Sequence, residues 1–323
     1  MCFLFVFFIG LRSSNIGTDS PGYAKSFINA PDLSWDVIKG FFSKKEPFFY
    51  FLQSLVRSIT ESYTVWFLFI AIVYMIPVSC FIYKYSEMPF MSFILFMSMA
   101  YMNFAMAGLR QTLATAFLLV SFNFVFKKKF FRFIFLVLLA SGFHITSLVF
   151  ILVMFIRKSK VKAWHIVASI LGLFLCLLFG QNLISFIVKF AFGDESYYIK
   201  SEFGGYSTLI LFVAIVIAAL IFNKNIYSSN QDGKNEDAFF LKILLLSLPF
   251  QAMAVYQANC FRIAMYFSFF GILTIVPKAL SIQQDKTIRI FGIGLTLVLI
   301  LIQLFFITYN VNDVNPYEFF WQV

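Results

Sequence analysis

The sequence predicts an all-α polytopic membrane protein, and three observations carry that prediction. Hydrophobic residues make up 61% of the chain and charged residues only 12%, about half the charged share of a soluble domain. Apolar runs of about 18 residues or more, the length of a transmembrane helix, recur along the chain. Lys and Arg gather in short clusters between those runs, as they do in cytoplasmic loops. About ten to twelve membrane-embedded helices are expected, counting re-entrant half-helices. The 323 residues read as one membrane-embedded domain.

The elements follow in chain order. Residues 2–11 are apolar, but at about 1.5 Å per residue they cover only half of a ~30 Å hydrocarbon core. They are expected to be a first span truncated at its front. Residues 12–46 form the longest polar stretch and are expected as an outer loop. Residues 47–59 are apolar and aromatic but short, which predicts a re-entrant or interfacial helix. Spans are then expected at 63–83, 89–107, 112–126, 164–190, 207–222, 238–257, 263–277 and 290–309. The clusters "KKKFFR" at 127–132 and "RKSKVK" at 157–162, with the loops 223–237 and 278–289, mark the cytoplasmic side. Loops 12–62, 108–111, 191–206 and 258–262, and the tail after 309, then face outward.

Segment 130–156 departs from this alternation, because basic clusters flank it at both ends. A straight span would put its ends on opposite sides. Two half-helices, 130–141 and 145–156, joined by "SGFH", keep both ends inside. A broken helix at membrane depth is tolerated only against protein or a wet cavity. Ser141, Gly142, His144, Thr146 and Ser147 supply polar groups for such a cavity. His144 is one of two histidines in the chain. Two readings of it stay open: a packing histidine bonded to a neighbouring helix, or an intramembrane functional group. His165 follows a basic cluster at a helix start and reads as interfacial.

Several function classes are disfavoured. The net charge of +10 sits in loop clusters, without a basic face carrying base-reading residues, so no nucleic-acid partner is expected. Cys2, Cys80, Cys176 and Cys260 form no CxxC pair and read as small hydrophobes. No HxxH, HExxH or DxD pattern suggests a metal, and no phosphate-loop motif suggests ATP. Neither metal nor cofactor is expected. No cleavable signal peptide is evident.

Three isolated arginines run against the loop pattern. Arg12 follows the first apolar run, Arg110 sits in "GLRQTLA", and Arg262 sits in "NCFRIAMY". An arginine near lipid is costly, so each is expected to meet an anion. The anion is either an internal carboxylate such as Asp19 or Glu46, or a pyrophosphate, whose oxygens match the guanidinium fork. Asp19 and Glu46, in the outer loop, are candidates for sugar-hydroxyl recognition or proton abstraction. The tail "NPYEFFW" at 315–321 reads either as an interfacial aromatic anchor or as a ligand contact.

Taken in order, Arg12, "GTD" at 17–19 with Tyr23, "EP" at 46–47 with Tyr50, "LRQ" at 109–111, "LASGFH" at 139–144, "FRIAMY" at 261–266 and the terminal "NPYEFF" resemble the EpsG family over nearly the whole chain. That family is similar to the Wzy-type polymerases of O-antigen and exopolysaccharide assembly. The resemblance implies a bacterial cytoplasmic-membrane enzyme. It would join undecaprenyl-pyrophosphate-linked oligosaccharide repeat units by glycosyl transfer at the outer face. A flippase and a chain-length regulator are the protein partners it suggests. On this reading Arg12, Arg110 and Arg262 neutralise the pyrophosphate. His144 takes the acceptor proton, with Asp19 as the second candidate base. Glu46, Tyr23, Gln111 and Tyr266 contact substrate. Two other classes stay open: a polysaccharide-lipid flippase or transporter, and a membrane acyltransferase that modifies exported glycans. Internal repeats and polar residues through the whole membrane thickness would mark a transporter. The unusual residues here gather at one face.

Overall fold

The computed structural model describes residues 1–156, 159–192, 205–222, 236–281, 285–308 and 313–322. The described chain is helical, with one isolated β-bridge. Helix is what apolar runs must form in lipid, where every backbone group needs an internal partner. Among the described residues, four helices are long and apolar enough to cross a bilayer: Tyr63–Tyr85, Leu109–Phe126, Ala163–Phe186 and Asn259–Ser281. Pro89–Ser98 and Tyr101–Ala107 make a fifth if that pair, bent by 54°, counts as one span. Shorter apolar helices cover Phe130–Phe143, Ile145–Phe155, Tyr206–Phe222 and Ile290–Ile302. The chain is an all-α, multi-pass membrane protein.

The chain divides into two compact units. The first holds Met1–Tyr85, Pro89–Met154 and Ile290–Val323. Its helices are α1 (Cys2–Gly10), α2 (Ser20–Ile28), α3 (Trp35–Phe42), α4 (Pro47–Arg57), α5 (Tyr63–Tyr85), α6 (Pro89–Ser98), α7 (Tyr101–Ala107), α8 (Leu109–Phe126) and α9 (Phe130–Phe143), followed by a 3₁₀ helix, Ile145–Phe155. The polar stretch expected as an outer loop thus contains two short helices, α2 and α3. Aromatic rings fill the core beneath them. Phe27 stacks on Trp66 at 5.5 Å, and Phe49 meets the same indole edge-on at 5.9 Å. All three side chains are buried.

The tail also belongs to this unit. Phe319 pairs with Arg12 in the β-bridge, and Ser13 N–H donates to Glu318 O at 2.9 Å. The Tyr317 hydroxyl donates to Phe8 O at 2.5 Å. Rings of Phe7, Phe8, Tyr317, Phe319 and Trp321 pack together. The aromatic tail is therefore tied to the stretch that follows α1.

The second unit holds Ser86–Met88 and Phe155–Arg289. It contains α10 (Ala163–Phe192), α11 (Tyr206–Phe222), α12 (Glu236–Met253) and α13 (Ala258–Ser281). Helix α14 (Lys286–Thr308) joins the first unit from Ile290 onward. Within the second unit, Phe250 on α12 stacks on Phe267 of α13 at 5.3 Å, and Ser169 of α10 bonds Leu245 O at 2.7 Å. Lys278 pairs with Glu87 and, at 3.5 Å, with Asp237.

Two stretches expected as loops are helical. Residues 108–111 run from Gly108 into α8, because Thr112 N–H already bonds Gly108 O at 2.9 Å. Residues 258–262 form the start of α13. The expected span 89–107 is broken at Met99–Ala100, where Ala100 adopts φ 59°. The basic loop 223–237 and the outer loop 191–206 lie largely outside the described residues.

The expected hairpin in 130–156 is present. Helix α9 ends at His144, whose backbone is extended (φ −153°, ψ 114°), and the 3₁₀ helix begins at the next residue. Phe133 and Phe150 lie on opposite arms with their rings 6.1 Å apart, both buried. In one continuous α-helix those residues would be separated by about 25 Å. The arms therefore fold back on each other. The second arm is 3₁₀ rather than α.

Candidate functional site

Three polar side chains from three helices meet in the first unit. Glu46 directly precedes Pro47, which opens α4. Proline suits the first turn because its missing N–H would have no helical partner there. The Glu46 side chain makes no cap bond to its own helix. Its carboxylate instead reaches α8 and the α9 hairpin. Arg110 stands in the first turn of α8, where the break at Gly108 presents it. His144 stands at the hairpin turn.

The contacts use both carboxylate oxygens. Arg110 Nη1 donates to Glu46 Oε2 at 2.8 Å, and Arg110 Nη2 donates to the Tyr50 hydroxyl at 3.0 Å. His144 Nδ1 lies 2.6 Å from Glu46 Oε1, and Ile145 N–H donates to the same oxygen at 3.4 Å. Glu46 is buried, while Arg110 and His144 are partly open, with 32% and 18% of their side-chain surfaces exposed. The Arg110 guanidinium also lies 5.0 Å from the Phe49 ring centroid, 5.1 Å from that of Tyr50 and 5.9 Å from that of Tyr23. Lys44 adds a second cation 3.8 Å over the Tyr50 ring.

This geometry assigns a tautomer. Burial raises the Glu46 pKa, but the His144 hydrogen bond and charge, followed by those of Arg110, outweigh it and hold the carboxyl below the usual range. Glu46 is then an anion and can only accept hydrogen bonds. His144 Nδ1 must carry the proton. In the neutral imidazole the lone pair falls on Nε2, which makes no hydrogen bond among the described residues. A carboxylate that orients an imidazole in this way prepares it to accept a proton.

Close packing fixes the hairpin turn against α4. A Cβ at Gly142 would sit 2.0 Å from Cδ2 of Phe48. The Phe48 ring therefore rests directly on the glycine, two residues before His144 and two after Glu46. Phe143 packs between the rings of Phe48 and Phe117, at 6.0 and 5.1 Å.

Arg12 requires a correction, because it does not serve as an open phosphate ligand here. It is fully buried. Nε donates to Ile16 O at 3.2 Å, Nη1 to Ile9 O, and Nη2 to Met106 O at 2.9 Å and Ser20 Oγ at 3.2 Å. The Phe67 ring lies 4.1 Å from its guanidinium carbon. Burial pulls its pKa down to about 9, so it remains a cation at neutral pH. Its partners are neutral, three backbone carbonyls and a hydroxyl, in place of the expected anion. Arg12 is a clasp that ties residues 9–20 to the end of α7. Gly17, at φ 97°, lets the loop close on it: a Cβ there would stand 2.6 Å from Met106 O.

The other predicted residues are placed as follows. Tyr23 is part of the cluster, with its ring 5.5 Å from Phe49 and near Arg110. Gln111 is buried beside Arg110 on α8. Asp19 is exposed at the start of α2, its carbonyl bonded to Tyr23 N–H at 3.0 Å. Arg262 and Tyr266 belong to α13 of the second unit, one turn apart, with Tyr266 buried and Arg262 half-buried.

The EpsG family model matches residues 1–319 of this chain. The chain belongs to the EpsG family. No curated protein and no solved structure matches it. Membership of the EpsG family associates the chain with exopolysaccharide polymerase-like function. The Glu46, Arg110 and His144 cluster gives this family member a site of defined geometry. The sequence signalled all three residues and offered Glu46 as one possible anion for Arg110, but did not signal the bond from Glu46 to His144. Glu46 and Tyr50 stand four residues apart, one helical turn, so a helix over this stretch puts both on one face.

Proposed function

We propose that this protein is a membrane glycosyltransferase that joins undecaprenyl-pyrophosphate-linked oligosaccharide repeat units at the outer face of the bacterial cytoplasmic membrane. The observation that carries the reading is the chain of contacts from Arg110 through Glu46 to His144. It holds a proton acceptor and a cation a few ångströms apart on one carboxylate. In the proposed reaction an acceptor sugar hydroxyl attacks the anomeric carbon of the donor glycan. Its proton passes to His144 Nε2. The bond from that carbon to the pyrophosphate oxygen breaks, and the electron pair leaves with the lipid pyrophosphate. Arg110 stabilises that developing charge. Two of its five N–H donors are used by Glu46 and Tyr50, which leaves donors for phosphate oxygens. Glu46 is a positioning residue that holds the imidazole. Asp19 becomes an open-surface sugar contact rather than the base. Tyr23, partly open beside Arg110, is a contact for the glycan.

The glycan of a strain lacking this protein tests the reading. Accumulated single lipid-linked repeats, restored to polymer by the returned gene, are the expected result. Repeats trapped on the cytoplasmic side would indicate a flippase. Polymer of normal length lacking acyl groups would indicate an acyltransferase. Either outcome overturns the proposal.

A further inference from the structure

Helix α3 carries more apolar surface than the protein covers. It starts at Ser34, whose hydroxyl accepts from Val37 N–H at 3.3 Å. At about 100° per residue, Val37, Phe41, Ile38, Phe42 and Trp35 form one continuous apolar arc of about 160°. Only one edge of that arc packs inward. Phe41 is buried and stacks on Tyr50 of α4 at 6.2 Å. The other edge stands open: Trp35 is 76% exposed and Phe42, one heptad on, 67% exposed. Asp36 and Gly40 are exposed on the opposite side of the helix, and Lys39, also exposed, stands between them and Trp35.

The helix packed against it also turns apolar side chains outward. On α4, Gln53 and Ser54 face inward together with Phe49 and Val56, while Phe51 and Leu55 are exposed, as is Ile59 just past the helix end. A helix that buries a glutamine and a serine while showing phenylalanine and leucine stands against lipid. At about 12 and 16 Å, α3 and α4 are too short to cross a bilayer. The spans that follow already require a bilayer around this unit. Lys39 borders the open edge of α3, and Lys44 follows the helix, both at the surface, where cations meet lipid phosphates.

We propose that α3 is an in-plane membrane anchor. Its Trp35–Phe42 edge is seated at the boundary between headgroups and acyl chains, in the leaflet that α4 faces. The occupant of this surface is bilayer lipid. The anchor also bears on the site. Phe41 and Lys44 both contact Tyr50, whose hydroxyl accepts from Arg110. Seating α3 in lipid therefore braces the start of α4, where Glu46 stands.

The test uses the full chain reconstituted in vesicles of phosphatidylcholine and phosphatidylglycerol. The fluorescence spectrum of the natural protein minus that of Trp35→Phe isolates Trp35 among the tryptophans. The expected difference spectrum is blue-shifted. It is quenched about twofold or more by lipids brominated near the headgroup and hardly at all by aqueous iodide, as an interfacial indole should be. Quenching by iodide at the level of free tryptophan would overturn the proposal, because α3 would then stand in water. Protection from both quenchers would also overturn it, because a second protein chain would then cover the edge. A second measurement places a fluorescent label at Phe42→Cys and, separately, at Gly40→Cys, with the four natural cysteines replaced by serine. Position 42 should respond to the lipid quencher and position 40 to iodide. Equal responses would contradict the anchor.

Discussion

Glu46 decides the chemistry of the site because it is a single anion shared between a cation and an imidazole. Two arginines with similar sequence surroundings fare differently for the same physical reason. Arg110 meets a carboxylate and keeps part of its surface open. Arg12 meets carbonyl oxygens and is sealed. Replacing Arg12 with Met should strand buried carbonyls, at roughly 1–3 kcal/mol each, and reduce the amount of folded protein. Arg110→Lys should accumulate normally but lose about 10²-fold in polymerisation rate, because an ammonium lacks the fork. Quantifying membrane-embedded protein alongside glycan length separates the two effects. Glu46→Gln should also reduce turnover by about 10²-fold or more, since an amide fixes neither the tautomer nor the charge. It carries a stability signature as well. The Glu46 pKa is held below its ordinary value of 4.5. A depressed carboxyl adds stability above the ordinary value and loses it as pH falls through the lower, folded value. Thermal unfolding in detergent should therefore shift to lower temperature on acidification below 4.5, and this slope should flatten in Glu46→Gln. An unchanged slope would remove Glu46 from the ion pair.

The most informative element is the hairpin of α9 and the 3₁₀ helix. Basic clusters at both ends and a polar "SGFH" break made the reversal legible in the sequence, and the ring contact of Phe133 with Phe150 bears it out. The 3₁₀ form of the second arm was not legible, because an apolar run specifies burial and not the number of residues per turn. The start of α8 was misread for a related reason. Gly108 and Arg110 look like a loop when read alone, yet the glycine only breaks α7 and the chain resumes as helix at once. An internal carboxylate such as Glu46 was one of the two anions the sequence offered for Arg110, and the ion pair meets that reading; the contact with His144, 98 residues away, was hidden because no local pattern encodes such a pairing. The hairpin makes a direct prediction. Phe133→Cys with Phe150→Cys, in a background with the natural cysteines replaced, should be joined within one chain by a bifunctional thiol reagent that spans about 10 Å, the spacing of packed helices. Arms in one straight helix would keep these thiols about 25 Å apart, and no crosslink would form.

At the scale of the whole molecule, composition alone fixed the class. A chain with 61% hydrophobic residues has no soluble alternative, and the helices follow from the bilayer's demand for internal hydrogen bonds. The two ends of the chain meet in the first unit, where the tail pairs beside Arg12. The aromatic tail is thus packed against the stretch that carries Arg12. In the proposed reaction His144, held by Glu46, takes the acceptor proton during glycosyl transfer. The most direct measurement reconstitutes the natural protein and His144→Gln in vesicles at equal density. Each is supplied with lipid-pyrophosphate-linked repeat units, and polymer is followed as a ladder over time. Glutamine keeps bulk and hydrogen bonding but cannot serve as the base. The account predicts a ladder from the natural protein and a rate lower by about 10²–10⁴-fold from the variant. A His144→Gln protein that extends the ladder at a near-natural rate would contradict it.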